Sequence, residues 1–263
     1  MTAVNVVIEC DKAHLFTDSA ACDPFGRVWR LVSKVRVLPG GRCAFAMRGR
    51  LKALDAIAEI LSTLGTDVDE LRAAAEDGRL RAVLSPWRQA LRGRLALARD
   101  YDVTIIGWGK DGPTAFMFWN HGKMRSDDGA AVPPRFAPHD IARANVLPPV
   151  PLPRGALRDP LAAMPEIMRR QHMHREPSIL FPKGRRFVGG FIEHTIMTAA
   201  GVETRRAGGW DDPLGKPIGG GADHWKALRR GALIFGAAWC GLFALSFGWQ
   251  VVRALGSGQG LTW

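Results

Sequence analysis

Cysteine is scarce in this chain of 263 residues. Its four copies, Cys10, Cys22, Cys43 and Cys240, form no CxxC pair and no zinc-finger spacing, which argues against a disulfide framework or a structural zinc site. Cys10 and Cys43 fall inside apolar, strand-like runs. A free thiol there acts as a small hydrophobe, and a reducing compartment is the simpler setting. A signal peptide is not expected either: there is no basic n-region, and the first apolar run is interrupted by Asn5, Glu9, Asp11 and Lys12. No solenoid-type repeat is evident. Acidic residues are outnumbered, 25 against 36 Lys and Arg, for a formal net charge of +11. Such an excess can draw anionic partners. No stretch, however, interleaves dense Lys and Arg with aromatics as a nucleic-acid groove does. Nucleic acid is therefore not expected as a partner, and the excess reads as a solvated arginine-rich surface.

What is present suffices for a folded domain. The length allows one large domain or one domain with an appendage. A hydrophobic share of 47% supports a substantial core, and 23% charged residues do not suggest global disorder. Residues 3–10 alternate, with Val4, Val6, Ile8 and Cys10 on one face and Asn5 and Glu9 on the other, the pattern of a half-buried strand. Asp11-Lys12 can turn the chain into a second strand over 13–19. Residues 35–38 and 43–47 form a further hairpin around Pro39-Gly40-Gly41. The period then changes. Leu51, Leu54, Ile57, Ala58, Leu61 and Leu64 lie at helical spacing before Gly65. Asp67 followed by Glu70 resembles a capping box for a helix over 68–77. Residues 80–98 suit another helix, broken or restarted near Pro86. Strands over 102–108 and 114–119 flank a Gly-Lys-Asp-Gly-Pro turn.

The second half is less regular. Residues 128–156 read as a Pro-rich extended excursion, 158–175 as a helix with Pro160 at its start and Pro165 in its interior, and 187–207 as a late hairpin around Ala200-Gly201. A Gly/Pro-rich linker is expected over 208–228. Residues 231–252 carry no charge, and as a helix would span about 33 Å, enough for a hydrocarbon core of about 30 Å. A transmembrane helix over 229–253 is therefore expected, followed by a tail over 254–263. Lys226, Arg229 and Arg230 before it place the large N-terminal part on the cytoplasmic side, anchored to the inner membrane. The other reading of this segment is a helix packed in an oligomer.

The chemistry centres on Thr2. A threonine hydroxyl is a weak nucleophile until a base takes its proton, and an α-amine on the same residue can be that base. Met1 precedes a small residue and is of the kind cells remove. Asp18 follows Thr2 by 16 positions and Lys34 follows Asp18 by 16. A lysine beside the hydroxyl would favour its ionised form, and an aspartate would hold the lysine charged and oriented. Gly49, after the fourth strand, could present a backbone N–H to a developing oxyanion.

Residues 2–65 resemble the start of the proteasome β-subunit group of N-terminal-nucleophile (Ntn) hydrolases, HslV-like peptidases included. The matching pattern is Thr2 and a strand, then Phe16-Thr17-Asp18-Ser19-Ala20, Ser33-Lys34-Val35, and Arg48-Gly49 running into a helix. Gly49 matches with one extra residue in the Pro39-Gly40-Gly41 turn. The resemblance implies an α+β fold, a four-layer αββα sandwich over residues 1–207, here with a C-terminal hydrophobic helix. It implies Thr2 as nucleophile, Asp18 and Lys34 as its support, and Gly49 as oxyanion donor. Val188-Gly189-Gly190 before a strand also fits the family. Its downstream serine and aspartate have no assigned counterpart here, and the Pro-rich excursion, linker and tail depart from it.

The expected activity is that of a threonine-type amidohydrolase, a peptidase acting on peptide or amide substrates through an acyl-enzyme, with no cofactor and no metal, and with homo-oligomers as a further expectation. The alternative is an inactive Ntn-like structural or assembly module, for example a virion-associated phage or tail component. Other candidates carry less. His172 and His174 do not share a helix face, Cys10 has no assigned base, and Gly107, Gly109 and the glycines at 219–221 lack the strand–loop–helix setting of a phosphate site. Glu193 and His194 point to opposite faces of one strand.

Overall fold

Two short alternating runs at the start of the chain become the centre of a sheet. In the computed structural model, which describes residues 2–23, 25–49, 51, 53–90, 101–119, 136–176 and 184–219, β1 (Val4–Ile8) and β2 (Ala13–Asp18) pair antiparallel from Val4 opposite Thr17 to Ile8 opposite Ala13. The Glu9 amide closes the turn on the Lys12 carbonyl at 2.8 Å. Two brief strands follow, β3 (Ala20–Cys22) and β4 (Val28–Leu31), and pair with each other. Next come β5 (Val35–Val37) and β6 (Cys43–Arg48).

Helices α1 (Ala53–Leu64), α2 (Val68–Glu76) and α3 (Arg79–Ala90) occupy the middle of the chain. Asp67 caps α2 by accepting from the Asp69 and Glu70 amides. Glu70 reaches back one residue further than a capping box requires, to the Thr66 amide. Helix α3 runs through Pro86, and residues 91–98 of the expected helix lie outside the described residues. Strands β7 (Asp102–Gly109), β8 (Gly112–Trp119), β9 (His139–Asp140) and β10 (Ala144–Leu147) precede α4 (Pro160–Met173). Among the described residues the hairpin β11 (Phe191–Thr198) and β12 (Gly201–Gly209) comes last.

The result is a mixed α+β fold with antiparallel sheets. The first five-stranded sheet has the order β10-β1-β2-β11-β12 and the second β5-β6-β7-β8-β9, while β3 and β4 form a two-stranded sheet. Strand alternation sorts their side chains. Phe45, Met47, Val103, Ile105, Phe116 and Phe118 pack with Leu54, Ile57, Leu61, Leu71 and Leu84 of the three helices. The opposite faces of the same strands carry Ala44, Ala46, Ile106 and Ala115, which pack with Val4, Val6, Ala13 and Leu15 of the first sheet. The first sheet's other side chains, Ala3, Val7 and Phe16, pack with Met164, Ile167 and Met168 of α4.

Several expectations change. Strand β1 is buried on both faces. Asn5 is fully buried because its side-chain amide exchanges two hydrogen bonds with Gln171 of α4, each 2.8 Å. Cys10 lies beyond β1 and is exposed, whereas Cys43 is buried. The Pro-rich excursion contains β10, which pairs with β1 at the sheet edge, Val4 opposite Leu147; residues 120–135 lie outside the described residues. Part of the expected linker is tied down, since Gly208 and Gly209 belong to β12 and residues 210–219 bond to β4 and its approach. The expectation of a transmembrane helix is corrected: no helix among the described residues is long and apolar enough to cross a membrane. Residues 231–252, on which that expectation rested, lie outside the described residues.

Candidate active site

Asp18 ends β2, a central strand of the first sheet. Its neighbours in register are Ile192 of β11 on one side and, one step beyond the Val4–Thr17 pair, Ala3 on the other. The side chain is completely buried. A carboxylate in that position needs donors, and it has three among the described residues. Its Oδ1 accepts the Ala3 amide at 2.8 Å and Lys34 Nζ at 2.9 Å. Its Oδ2 accepts the Gly189 amide at 3.0 Å.

Lys34 immediately precedes β5 of the other sheet and is 5% exposed. The ion pair therefore joins the two sheets at one end. The Ala3 hydrogen bond fixes the peptide link between Thr2 and β1, and Thr2 is itself buried. Thr2, Asp18 and Lys34, spaced evenly in sequence, are thus brought to one place. Gly49 follows β6 with φ of 149°, a conformation that favours glycine. Continuing the β5–β6 register puts Lys34 opposite Met47, two residues before Gly49. No hydrogen bond among the described residues joins Gly49 to the other three. Met1 lies outside the described residues.

The surroundings include residues that the sequence analysis does not assign to this site. The Ser33 hydroxyl donates to Glu193 Oε2 at 2.9 Å, placing a second buried carboxylate one residue from Lys34. Thr17, beside Asp18, has a buried hydroxyl with no hydrogen-bond partner among the described residues. Ser19 Oγ accepts the Phe191 amide at 2.8 Å. Asp212 Oδ2 accepts the Gly190 amide at 3.0 Å and lies 3.3 Å from His172 Nε2. Burial pushes the His172 imidazole below its usual range, against the opposing pull of Asp212. His172 also stacks on Trp210, while His174 is exposed at the end of α4.

Other titratable side chains make none of these hydrogen bonds. Burial pushes the Cys22 thiol up to about 11, only partly offset by the Lys34 charge, so it stays protonated at neutral pH. His194 bonds not to Glu193 but to His14, at 2.9 Å between ring nitrogens, and His14 reaches Glu9 at 2.9 Å. Phe16 stacks on His194 with ring centroids 4.0 Å apart. No group of three or more potential metal-binding side chains occurs among the described residues. The signal for Glu193, Asp212, His172 and His194 is weak because each bonds to a partner distant in sequence.

The chain matches no protein-family profile and no curated protein.

Proposed function

We propose that this chain is an N-terminal-threonine amidohydrolase of the Ntn type, acting on peptide or amide substrates once Met1 has been removed. The observation that carries the reading is the buried Asp18 carboxylate shared by the Lys34 ammonium and the amide that follows Thr2. The αββα layering belongs to this reading. It is supported by three separate cores: helices against the second sheet, sheet against sheet, and the first sheet against α4.

The chemistry follows from the placement. Thr2 Oγ1 attacks the substrate carbonyl carbon, and its proton passes to the Thr2 α-amine. Lys34, held by Asp18, stabilises the negative charge developing on the hydroxyl oxygen. The Gly49 amide is the proposed donor to the oxyanion. Collapse of the tetrahedral species breaks the C–N bond, and the leaving amine takes the proton from the α-amine. Water then attacks the ester carbonyl while the α-amine takes its proton; the acyl C–Oγ1 bond breaks, Oγ1 takes that proton back, and the acid product leaves.

N-terminal sequencing of the purified chain together with amide hydrolysis by wild type and Thr2→Ala tests the proposal. A mature chain beginning at Thr2, and turnover lost in a folded Thr2→Ala, is the expected result. Equal hydrolysis by the variant would overturn the role of Thr2. A mature chain retaining Met1 and lacking turnover would favour an Ntn-like assembly module.

A further inference from the structure

Between α4 and the Thr2 site lies a bend that only glycines fit. Gly189 donates its amide to Asp18 Oδ2, and Gly190, the next residue, donates its amide to Asp212 Oδ2, each at 3.0 Å. Two buried carboxylates thus hold consecutive peptide groups. A Cβ on Gly189 would lie 2.5 Å from Asp212 Oδ2. A Cβ on Gly190, whose φ is 76°, would lie 2.5 Å from Ser19 Oγ. Side chains there would collide with the groups that hold the bend.

Asp212 is itself held. Its Oδ1 accepts the Gly219 amide at 3.3 Å, and His172 Nε2 faces its other oxygen. It sits in a strap, residues 210–219, that returns from β12 across the bend. The Trp210 amide bonds to the Gly190 carbonyl at 2.7 Å. Further along, the Val28 amide bonds to the Lys216 carbonyl and the Gly215 amide to the Val28 carbonyl. Ile218 is buried against Ala20 and Val28.

We propose that Asp212 is a positioning residue for the Thr2 site, acting through the Gly189–Gly190 bend on Asp18. This rests on Thr2 being the nucleophile. Without Asp212, the Gly190 amide is left buried and unpaired, the bend relaxes, and Gly189 withdraws from Asp18. Asp18 then holds Lys34 with one donor fewer fixing its carboxylate. The strap therefore makes the site depend on a segment that follows β12.

The test uses the full chain with Thr2 free, treated with a β-lactone electrophile and followed by intact mass. Asp212→Ala should lower the maximal rate of adduct formation about tenfold or more while leaving the half-saturating probe concentration unchanged. Hydrogen exchange at the Gly189 amide should rise by a similar factor, about tenfold. Asp212→Asn, which keeps the volume and one acceptor, should fall between and serves if the alanine variant does not fold. A folded variant with wild-type adduct kinetics and wild-type exchange at Gly189 overturns the proposal. If wild type forms no adduct, the Thr2 reading fails, and Gly189 exchange alone decides the coupling: no rise in either variant overturns it.

Discussion

Lys34 Nζ lies 2.9 Å from Asp18 Oδ1, and the two side chains are only 6% and 0% exposed. A buried ion pair of this kind gains little net stability when complete, because desolvation offsets the attraction, but breaking it leaves a buried charge unpaired. Asp18→Ala strands the lysine and two backbone amides together. It should cost about 3–5 kcal/mol in denaturant unfolding, and Asp18→Ala with Lys34→Met should cost less than the sum of the single changes. Strict additivity would show that the two side chains do not interact.

The amide pair of Asn5 and Gln171 ties β1 to α4 through two hydrogen bonds. Asn5→Ala leaves the Gln171 amide buried with fewer partners and should destabilise by about 1–3 kcal/mol. Urea titration checks this. A change within error of zero would mean that water replaces the lost partner.

Acid sensitivity should trace to His194. Burial first, then the neighbouring His14 and Arg205, push its imidazole down to about 4. The unfolded chain, with histidine near 6.5, therefore binds this proton first. The stability involved is complete above that value, falls as pH is lowered through it, and is fully lost below about 4. His194→Phe, which keeps a ring against Phe16, should flatten the unfolding midpoint between these limits. An unaltered slope would assign the effect elsewhere.

Thiol reactivity should separate the cysteines. Cys10 is exposed, whereas burial pushes Cys22 up to about 11 and Cys43 up to about 12. Brief alkylation of native protein at mildly alkaline pH, mapped by mass spectrometry, should label Cys10 and leave Cys22 and Cys43 until the chain is unfolded. Rapid native labelling of Cys43 would contradict its place under α2.

These residues show what a single sequence can disclose. Hairpins β1–β2 and β11–β12, the apolar stripe of α1 and the Asp67 cap were legible because period and turn chemistry are local. The candidate site was partly legible too: Asp18 and Lys34 sit at strand ends, where spacing constrains position. Burial of Asn5 was hidden because alternation implies one wet face, and here α4 covers it. Strand β10 was hidden in a Pro-rich stretch because its pairing partner lies about 140 residues earlier. Gly189 and Asp212 could not be assigned for a similar reason, since their contacts form only when the last hairpin closes on β2.

The most direct measurement is the site of covalent modification by a β-lactone electrophile, mapped on the mature chain by mass spectrometry with Thr2→Ala in parallel. A chain beginning at Thr2, one adduct on that residue, and none on a folded Thr2→Ala is the expected result. An adduct formed equally by the variant, or a mature chain that begins at Met1 and takes up no probe, would contradict it.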